Sequence, residues 1–347
     1  MIKEAIFRLT QKNNLPFKTA KKVFEEIFDS ETTPSQIASF LTALKMKGET
    51  EDEILAAACV IREKATKLRL KGSISGVKNN FYPIMDTCGT GGSGVNKFNI
   101  STVTAFVVCS AGVRIAKHGN RAMSSNCGSA DVLETLGINI GTNPSVMEKA
   151  IERIGIGFLY APLYHPALGK VAQLRKEMGI RTIFNILGPL CNPALADYQL
   201  LGVFSQDLTA ILARVLKKLG SKKAFVVYGK DLADEVSLTG PTKVCFLNNK
   251  RIRNFSLNPS SFGLKKVNLK NLIVTSIKES AQVIEDILKA KKGPPRDVVL
   301  ANASVCFYIS GKVGNFRQGA KLAAKLIDEG SAKNKFLEFK EFLAKNA

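Results

Sequence analysis

Long hydrophobic runs are missing from this 347-residue sequence. No stretch approaches the ~18 consecutive apolar residues of a membrane span, and the most apolar one, ending near Val113, is broken by Thr102, Thr104 and Ser110. The opening residues, MIKEAIFRLTQ, carry charges inside their apolar pattern and contain no h-region, so no signal peptide is expected. Tryptophan is absent, aromatic residues make up only 7%, and there are two histidines, His118 and His165. The seven cysteines (Cys59, Cys88, Cys109, Cys127, Cys191, Cys245 and Cys306) form no CxxC pair and have no companion histidine cluster. That argues against a structural zinc site, and their odd number argues against a disulfide scaffold. Reduced thiols in a cytoplasm are the expectation.

Acidic residues are also in short supply: 29 against 50 basic ones, a net charge of +21. Such an excess suits nucleic acid, an anionic membrane surface or acidic small substrates. The basic residues are mostly Lys spread along the whole chain, whereas nucleic-acid readers concentrate Arg on one face and interleave aromatics for stacking. A solvated Lys-rich surface is the simpler reading, and neither a nucleic-acid partner nor a membrane is expected.

What is present is ordinary globular material, 45% hydrophobic and 23% charged, which excludes wholesale disorder. The length favours two domains, or one with a large appendage. The first seventy or so residues read as helices. Ile37, Phe40, Leu41 and Leu44 follow Thr33-Pro34 at helical spacing, and Ile54, Leu55, Ala58, Ile61, Ala65 and Leu68 continue the pattern. Gly, Ser and Asn then break the periodicity from Leu70 to Asn80, which reads as a linker. Beyond it, short apolar strands alternate with helices: strands at 82–88, 113–118, 156–161 and 224–229, helices near 100–112 and 130–136, an antiparallel excursion at 244–257, and a helical tail from about Lys278. Alternation of this kind implies a mainly parallel sheet covered by helices. The expected class is α/β, with an all-helical domain over residues 1–72 and an α/β domain over 73–347. The segment near 168–190 is helical without a strand and is expected to return to the first domain.

Three stretches carry chemistry. Gly89, Gly91, Gly92 and Gly94 sit between a strand and a helix, where glycine lets backbone N–H groups point into a concavity. The helix N-terminus that follows offers unpaired amides, and Asn99, Ser101 and Thr102 offer polar side chains, together a seat for phosphate or pyrophosphate. GxxxxGK[ST] is absent, a dinucleotide site is not expected, and a Gly-rich turn without function would read the same way. The second stretch, Lys117-His118-Gly119-Asn120-Arg121 with Ser124, Ser125 and Ser129, also follows a strand and so emerges at the same carboxyl edge. Its cations, imidazole, amide and hydroxyls suit an anion with several oxygens, or else a solvated basic turn; His118 could orient a neighbour without exchanging a proton. The third is Asp234-Glu235, adjacent carboxylates after a strand, either ligands for Mg²⁺ or solvated surface. Glu51-Asp52-Glu53, by contrast, reads as charge at a helix N-terminus. Arg175, on a helix, could pair with a substrate carboxylate, although most helical arginines lie at the surface.

Taken in series, GTGG…NIST, KHGNR…SS…GSADVLE and DEVSLTGPT resemble the anthranilate phosphoribosyltransferase family over nearly the whole chain. The resemblance implies a homodimer of the nucleoside phosphorylase/phosphoribosyltransferase-like fold, with the site in the hinge cleft between the helical and α/β domains. It implies transfer of a phosphoribosyl group from phosphoribosyl pyrophosphate to the amine of anthranilate, in tryptophan biosynthesis, with one or two Mg²⁺ per subunit. By motif, Gly89, Gly91, Gly92, Ser93, Lys97, Asn99, Ile100, Ser101, Thr102, Lys117, Asn120, Arg121, Ser124, Ser125 and Ser129 would hold phosphoribosyl pyrophosphate. Gly89, His118, Asn120, Arg175 and Pro189 would line the anthranilate site, and Ser101, Asp234 and Glu235 would be the metal ligands. No obligatory acid or base is implied. Two positions depart from the family pattern: Ser93 stands where Asp is usual, and Lys97 replaces a small residue and could add a phosphate contact. The rival expectations are a relative acting on another aromatic amine or a nucleobase, and a non-catalytic protein of the same fold that binds nucleic acid.

Overall fold

The computed structural model describes residues 1–29, 31–70, 83–122 and 127–346. Four helices open the chain: α1 (Ile2–Thr10), α2 (Phe17–Asp29), α3 (Pro34–Lys47) and α4 (Glu51–Lys64). Thr33 and Gln36 form a reciprocal capping box at the start of α3, with Pro34 in the first turn. Thr50 and Glu53 do the same for α4. Glu53 does more than favour the helix dipole. It is fully buried and also accepts from the Leu15 N–H (2.9 Å) and Lys47 Nζ (2.9 Å), tying three segments together. Helix α4 stops at Lys64, so Ala65 and Leu68 lie beyond the helix their spacing suggested.

The α/β part follows as β1 (Ile84–Asp86), α5 (Ile100–Ser110), β2 (Arg114–Gly119), α6 (Ser129–Thr135), α7 (Pro144–Arg153), β3 (Ile156–Tyr160), α8 (Ala161–Tyr164), α9 (Gly169–Met178) and α10 (Phe184–Leu187). It continues with β4 (Tyr198–Gly202), α11 (Leu208–Lys218), β5 (Lys223–Gly229), β6 (Thr242–Asn248), β7 (Arg251–Leu257), α12 (Ile277–Leu288), α13 (Pro294–Ser310), α14 (Phe316–Asp328) and α15 (Ser331–Asn346). The seven strands form one sheet in the order β3-β2-β1-β4-β5-β6-β7. Strands β1 to β5 run parallel, and β6 and β7 are added antiparallel, as their sequence suggested. The first strand is shorter than 82–88, and β4 carries no sequence signal that singled it out, yet it is β1's other neighbour. Chain order reverses between β1 and β4, and ligands of open α/β sheets bind at the carboxyl ends beside such a point.

Period-2 alternation along the strands serves two cores. Leu200, Phe225, Val227, Val244 and Phe246 pack with α5, α13, α14 and α15 on one face of the sheet. Leu201, Ala224, Val226, Cys245 and Leu247 point to the other face, where α11 and α1–α4 complete a second cluster. Val171 of α9 and Phe184, Ile186 and Leu187 of α10 belong to that second cluster, with the Phe184 ring edge-on to Phe28 at 6.2 Å. Arg62 of α4 donates to the carbonyls of Leu190 (2.6 Å) and Leu219 (3.3 Å), binding the helical part to the sheet side. The expected linker and the boundary at 72–73 fall within 71–82, outside the described residues apart from Leu70. No helix among the described residues is long and apolar enough to cross a membrane.

Candidate active site

The glycine loop leaves β1 at the reversal point and turns into a cleft. Gly91, Gly92 and Gly94 hold φ of +64°, +69° and +74°, which other residues adopt only with strain. Gly89 is needed for close approach instead: a Cβ there would lie 3.0 Å from the Gly202 carbonyl oxygen and 3.5 Å from that of Asp234. The Thr90 N–H donates to Gly202 O (2.8 Å), and the Phe204 N–H donates to Thr90 Oγ1 (3.1 Å), which stitches the loop to the end of β4. On Gly202 itself a Cβ would fall 1.8 Å from the Asp234 oxygen, and on Gly229 2.3 Å from that of Glu235. Two bare strand ends thus let residues 234–235 lie directly over the sheet, against the glycine loop. Asn302 of α13 fixes the far side of this turn, accepting from the Val236 N–H (3.1 Å) and donating to the Val236 carbonyl (3.0 Å).

The KHGNR segment ends β2 beside these loops. Lys117 is buried, and its Nζ donates to Ser101 Oγ (3.1 Å) and Thr87 Oγ1 (3.4 Å). Below it Asp86, also buried, accepts from the His118 N–H (3.2 Å) and Asn192 Nδ2 (2.8 Å). Burial pushes Asp86 up to about 6 despite Lys117 and these donors. His118 Nδ1 stands 2.9 Å from the Gly188 carbonyl, which can only accept, so Nδ1 carries the proton and Nε2 keeps an unpaired lone pair. Burial, then the neighbouring His165, then Lys117 hold His118 neutral, its pKa lowered to about 3. Gly119 and Gly128 are packed too tightly for a Cβ, at 2.4 Å from Ser129 Oγ and 2.3 Å from the Ala122 nitrogen.

These loops enclose a cleft of about 290 Å³ whose opposite wall is α9 and α10 of the helical part. Gly89, Gly91, Gly92, Ser93, Lys97, Asn99, Ser101, Lys117, His118, Asn120, Arg121, Ser129, Arg175, Asp234 and Glu235 all line it. Ser124 and Ser125 lie outside the described residues. Ile100, Thr102 and Pro189 are not among the lining residues: with Ser101 turned to the cleft, the 100° step of the helix carries its two neighbours into the core. The helix N-terminus also differs from its sequence reading. The N–H groups of Ile100 and Thr102 donate to Phe98 O (2.7 Å) and Asn99 O (3.1 Å), and that of Ser101 donates to Glu235. Those amides are occupied, so the anion seat consists of glycine-loop backbone, Lys117 and hydroxyls. Asn99 Oδ1 accepts from Ser280 Oγ (2.9 Å), bracing the site to α12. Arg121 lines the cleft with its guanidinium held by Glu134 (2.6 and 2.8 Å).

Arg175 lies over the Phe184 ring, 5.2 Å from its centroid, and no carboxylate among the described residues pairs with it. Arg181, which no motif reading singled out, stacks on Phe204 at 4.7 Å and donates to the Gly92 carbonyl, joining the helical wall to the glycine loop. Its signal is a contact between residues 89 positions apart, invisible in a single sequence.

Residues 3–65 match the model of the glycosyl transferase family helical bundle domain, and residues 81–333 match the a/b domain of the same family. Anthranilate phosphoribosyltransferase of Geobacter sp. (strain M21) is 47% identical over 337 residues, 96% of each chain. The chain belongs to the anthranilate phosphoribosyltransferase family. Among solved structures, the Thermus thermophilus member of the family is 38% identical and superposes with a TM-score of 0.89, covering 98% of this chain and 99% of that one. The Saccharomyces cerevisiae member in complex with PRPP and Mg is 29% identical, with a TM-score of 0.86 and 98% of both chains covered. Like them, this family member is a transferase with a small helical domain and a larger, mostly parallel α/β domain.

The cleft of this phosphoribosyltransferase fits a divalent cation of one particular kind. No group of three or more His, Cys, Asp or Glu among the described residues forms a complete cage. Asp234, Glu235 and the Ser101 hydroxyl offer hard oxygens at one spot, which suits Mg²⁺ shared with phosphate oxygens and water. Burial, and then Asp234 beside it, raise Glu235 to about 8, against the pull of Lys97, Lys117 and the Ser101 N–H. Two adjacent and largely buried carboxylates that oppose each other's ionisation are well matched to a cation.

Proposed function

We propose that the cleft transfers the phosphoribosyl group of phosphoribosyl pyrophosphate to the amine of anthranilate, giving N-(5-phosphoribosyl)anthranilate and pyrophosphate, the step this family supplies to tryptophan biosynthesis. One observation carries the assignment to this cleft: the glycine loop, Lys117 with Ser101, and Asp234 with Glu235 meet at one end, while the uncompensated Arg175 stands in the helical wall. The first group is built for a diphosphate, the second for a carboxylate on an aromatic ring, where a planar guanidinium can form two parallel hydrogen bonds. His118 and Asn120 line the same cleft, and Pro189, which is buried, does not.

An aromatic amine is a weak nucleophile, so the reaction leans on departure of pyrophosphate from the anomeric carbon. Glycine-loop amides and the Lys117 ammonium, both at this end of the cleft, would stabilise the charge that develops there. Mg²⁺, one or two per subunit, held by Asp234, Glu235 and Ser101, would supply further neutralisation of the leaving group. The neutral His118 is too weak a base to strip the amine beforehand, and none is required once the carbon is electron-deficient. Arg181, stacked on Phe204 and bonded to the Gly92 carbonyl, ties the helical wall to the glycine loop, and water kept out of the cleft on substrate binding would not compete for the carbon. A homodimer completes this reading, supported by Phe7 and Met46, 66% and 81% exposed on α1 and α3. The seven unpaired thiols suit a reducing cytoplasm. The decisive experiment follows anthranilate fluorescence after addition of phosphoribosyl pyrophosphate and Mg²⁺, with a no-metal control and a panel of other aromatic amines and nucleobases. Metal-dependent loss confined to anthranilate supports the assignment; consumption of another acceptor in preference overturns it.

A further inference from the structure

Lys97 is a basic side chain of the cleft whose place the reaction alone does not explain. Its Nζ donates to Asp234 Oδ1 at 2.6 Å and to Ser93 Oγ at 3.0 Å, with both charged side chains about nine-tenths buried. The backbone beneath it is held from outside the glycine loop. Residue 97 bridges antiparallel to Ile273, the Val274 N–H donates to Asn96 O (2.8 Å), and the Phe98 N–H donates to Leu272 O (3.4 Å). The ammonium is therefore delivered to Asp234 from a fixed base. Two of its three protons are used, and the residue lines the cleft where the diphosphate would lie.

We propose that Lys97 is a tethered cation of the diphosphate pocket: its ammonium holds Asp234 in place of a second divalent ion, so each chain binds a single divalent ion, carried by Glu235 and Ser101. The inference rests on the reading of this turn as the metal-binding one and narrows it: Glu235 carries the ion, and Asp234 is engaged by Lys97. A divalent ion seated on Asp234 would have to share a carboxylate already ion-paired at 2.6 Å, and in a site this sheltered like charges repel with little screening; Lys117 meets Ser101 only through a 3.1 Å hydrogen bond to a neutral hydroxyl, which keeps a lone pair for the ion. With Ser93 supplying a neutral hydroxyl to Lys97, the glycine loop adds no carboxylate to draw that ion in. The third ammonium proton is left for a phosphate oxygen, so Lys97 performs with one charge, and no exchange with solvent, part of what a second ion would do.

The test counts ions. Mn²⁺ is titrated into the full-length protein with one equivalent of phosphoribosyl pyrophosphate, and free Mn²⁺ is read by electron paramagnetic resonance, for the wild type, Lys97→Met and Lys97→Arg. The expected counts are one ion per chain for the wild type and Lys97→Arg, and two for Lys97→Met. Calorimetry on the same samples reports phosphoribosyl pyrophosphate binding, which should weaken about tenfold in Lys97→Met. Two ions in the wild type, or one count shared by all three proteins, overturns the proposal while leaving the diphosphate site standing. Failure of the wild type to bind phosphoribosyl pyrophosphate with Mn²⁺ overturns both. Lys97→Arg keeps the charge and the fold, so a misfolded Lys97→Met does not remove the test: two ions on Lys97→Arg would equally sink it.

Discussion

At the scale of single residues, two cleft side chains are held ready by what they lack. Arg175 is half-buried, and desolvation lowers its pKa, yet no carboxylate has been provided for it within the protein. Its pairing is left to the ligand, and a charge-assisted bidentate contact contributes about 1.5–3 kcal/mol. Arg175→Ala is expected to raise the KM for anthranilate by roughly 10- to 100-fold on that energy scale. The KM for phosphoribosyl pyrophosphate should move less than threefold. Steady-state kinetics with each substrate varied in turn checks this, and equal losses in both would make Arg175 structural. His118 is poised differently, since its site refuses a proton. The unfolded chain takes one up near pH 6.5, whereas the folded pKa lies at about 3. Protons therefore favour the unfolded state increasingly as pH falls below 6.5, and the stability present above that pH is lost toward pH 3. The slope is about 1.4 kcal/mol per pH unit for each such group, or about 2 kcal/mol between pH 6.5 and 5. His165, lowered to about 4 by burial, adds its own share. Asp86 and Glu235, whose pKa values are raised by burial, act in the opposite sense over this range, so His118→Gln, which keeps a donor for Gly188, should gain urea stability at pH 5 relative to pH 7 when compared with the wild type. An unchanged slope would place the acid sensitivity elsewhere.

At the scale of elements, the site depends on loops that pass closer to strand ends than any side chain permits. Gly202 shows this most sharply, because an added methyl would overlap the Asp234 carbonyl at 1.8 Å and backbone must shift. Overpacking of this sort costs about 1–3 kcal/mol, and here the displaced atoms carry the acidic turn. Gly202→Ala should retain its fold by circular dichroism and lower kcat at least tenfold, with weaker Mn²⁺ binding. Normal metal affinity would show that the turn tolerates displacement. None of this was legible locally. Strand β4 is five residues, YQLLG, buried on both faces and so without the alternation that marks a half-buried strand. The importance of its last glycine comes from a partner 32 positions away. The glycine loop, the KHGNR turn and the acidic pair were legible because each packs its unusual composition into a few residues. The occupied amides of α5 were not, since the acceptor from the Ser101 N–H is Glu235, supplied by another loop. Arg181 reads as one more surface arginine until Gly92 and Phe204 are beside it.

At the scale of the whole molecule, the helical part and the sheet have separate sequence signatures but one of the two cores in common. Leu44, Phe24 and Ile61 from the opening helices share a cluster with Leu201 and Val226 of the sheet, Leu212 and Leu216 of α11, and Phe184 from a segment more than a hundred residues later. Across the same boundary Glu51 pairs with Arg214 at 2.6 Å and Lys218 at 2.9 Å. The surface pairs contribute little, roughly 0–1 kcal/mol each. The cluster decides the matter, because apolar burial contributes about 25 cal/mol per Å² and α1–α4 alone would leave one side of their core in water. A fragment of residues 1–70 is therefore expected to be largely unfolded by circular dichroism and unprotected in hydrogen exchange. The full chain should lose helical and sheet signals in a single urea transition. A folded fragment, or a helical part that melts separately, would mean that the two share a surface and not a core. The cleft would then be free to open along the α4–α11 side, which the continuous cluster now holds closed.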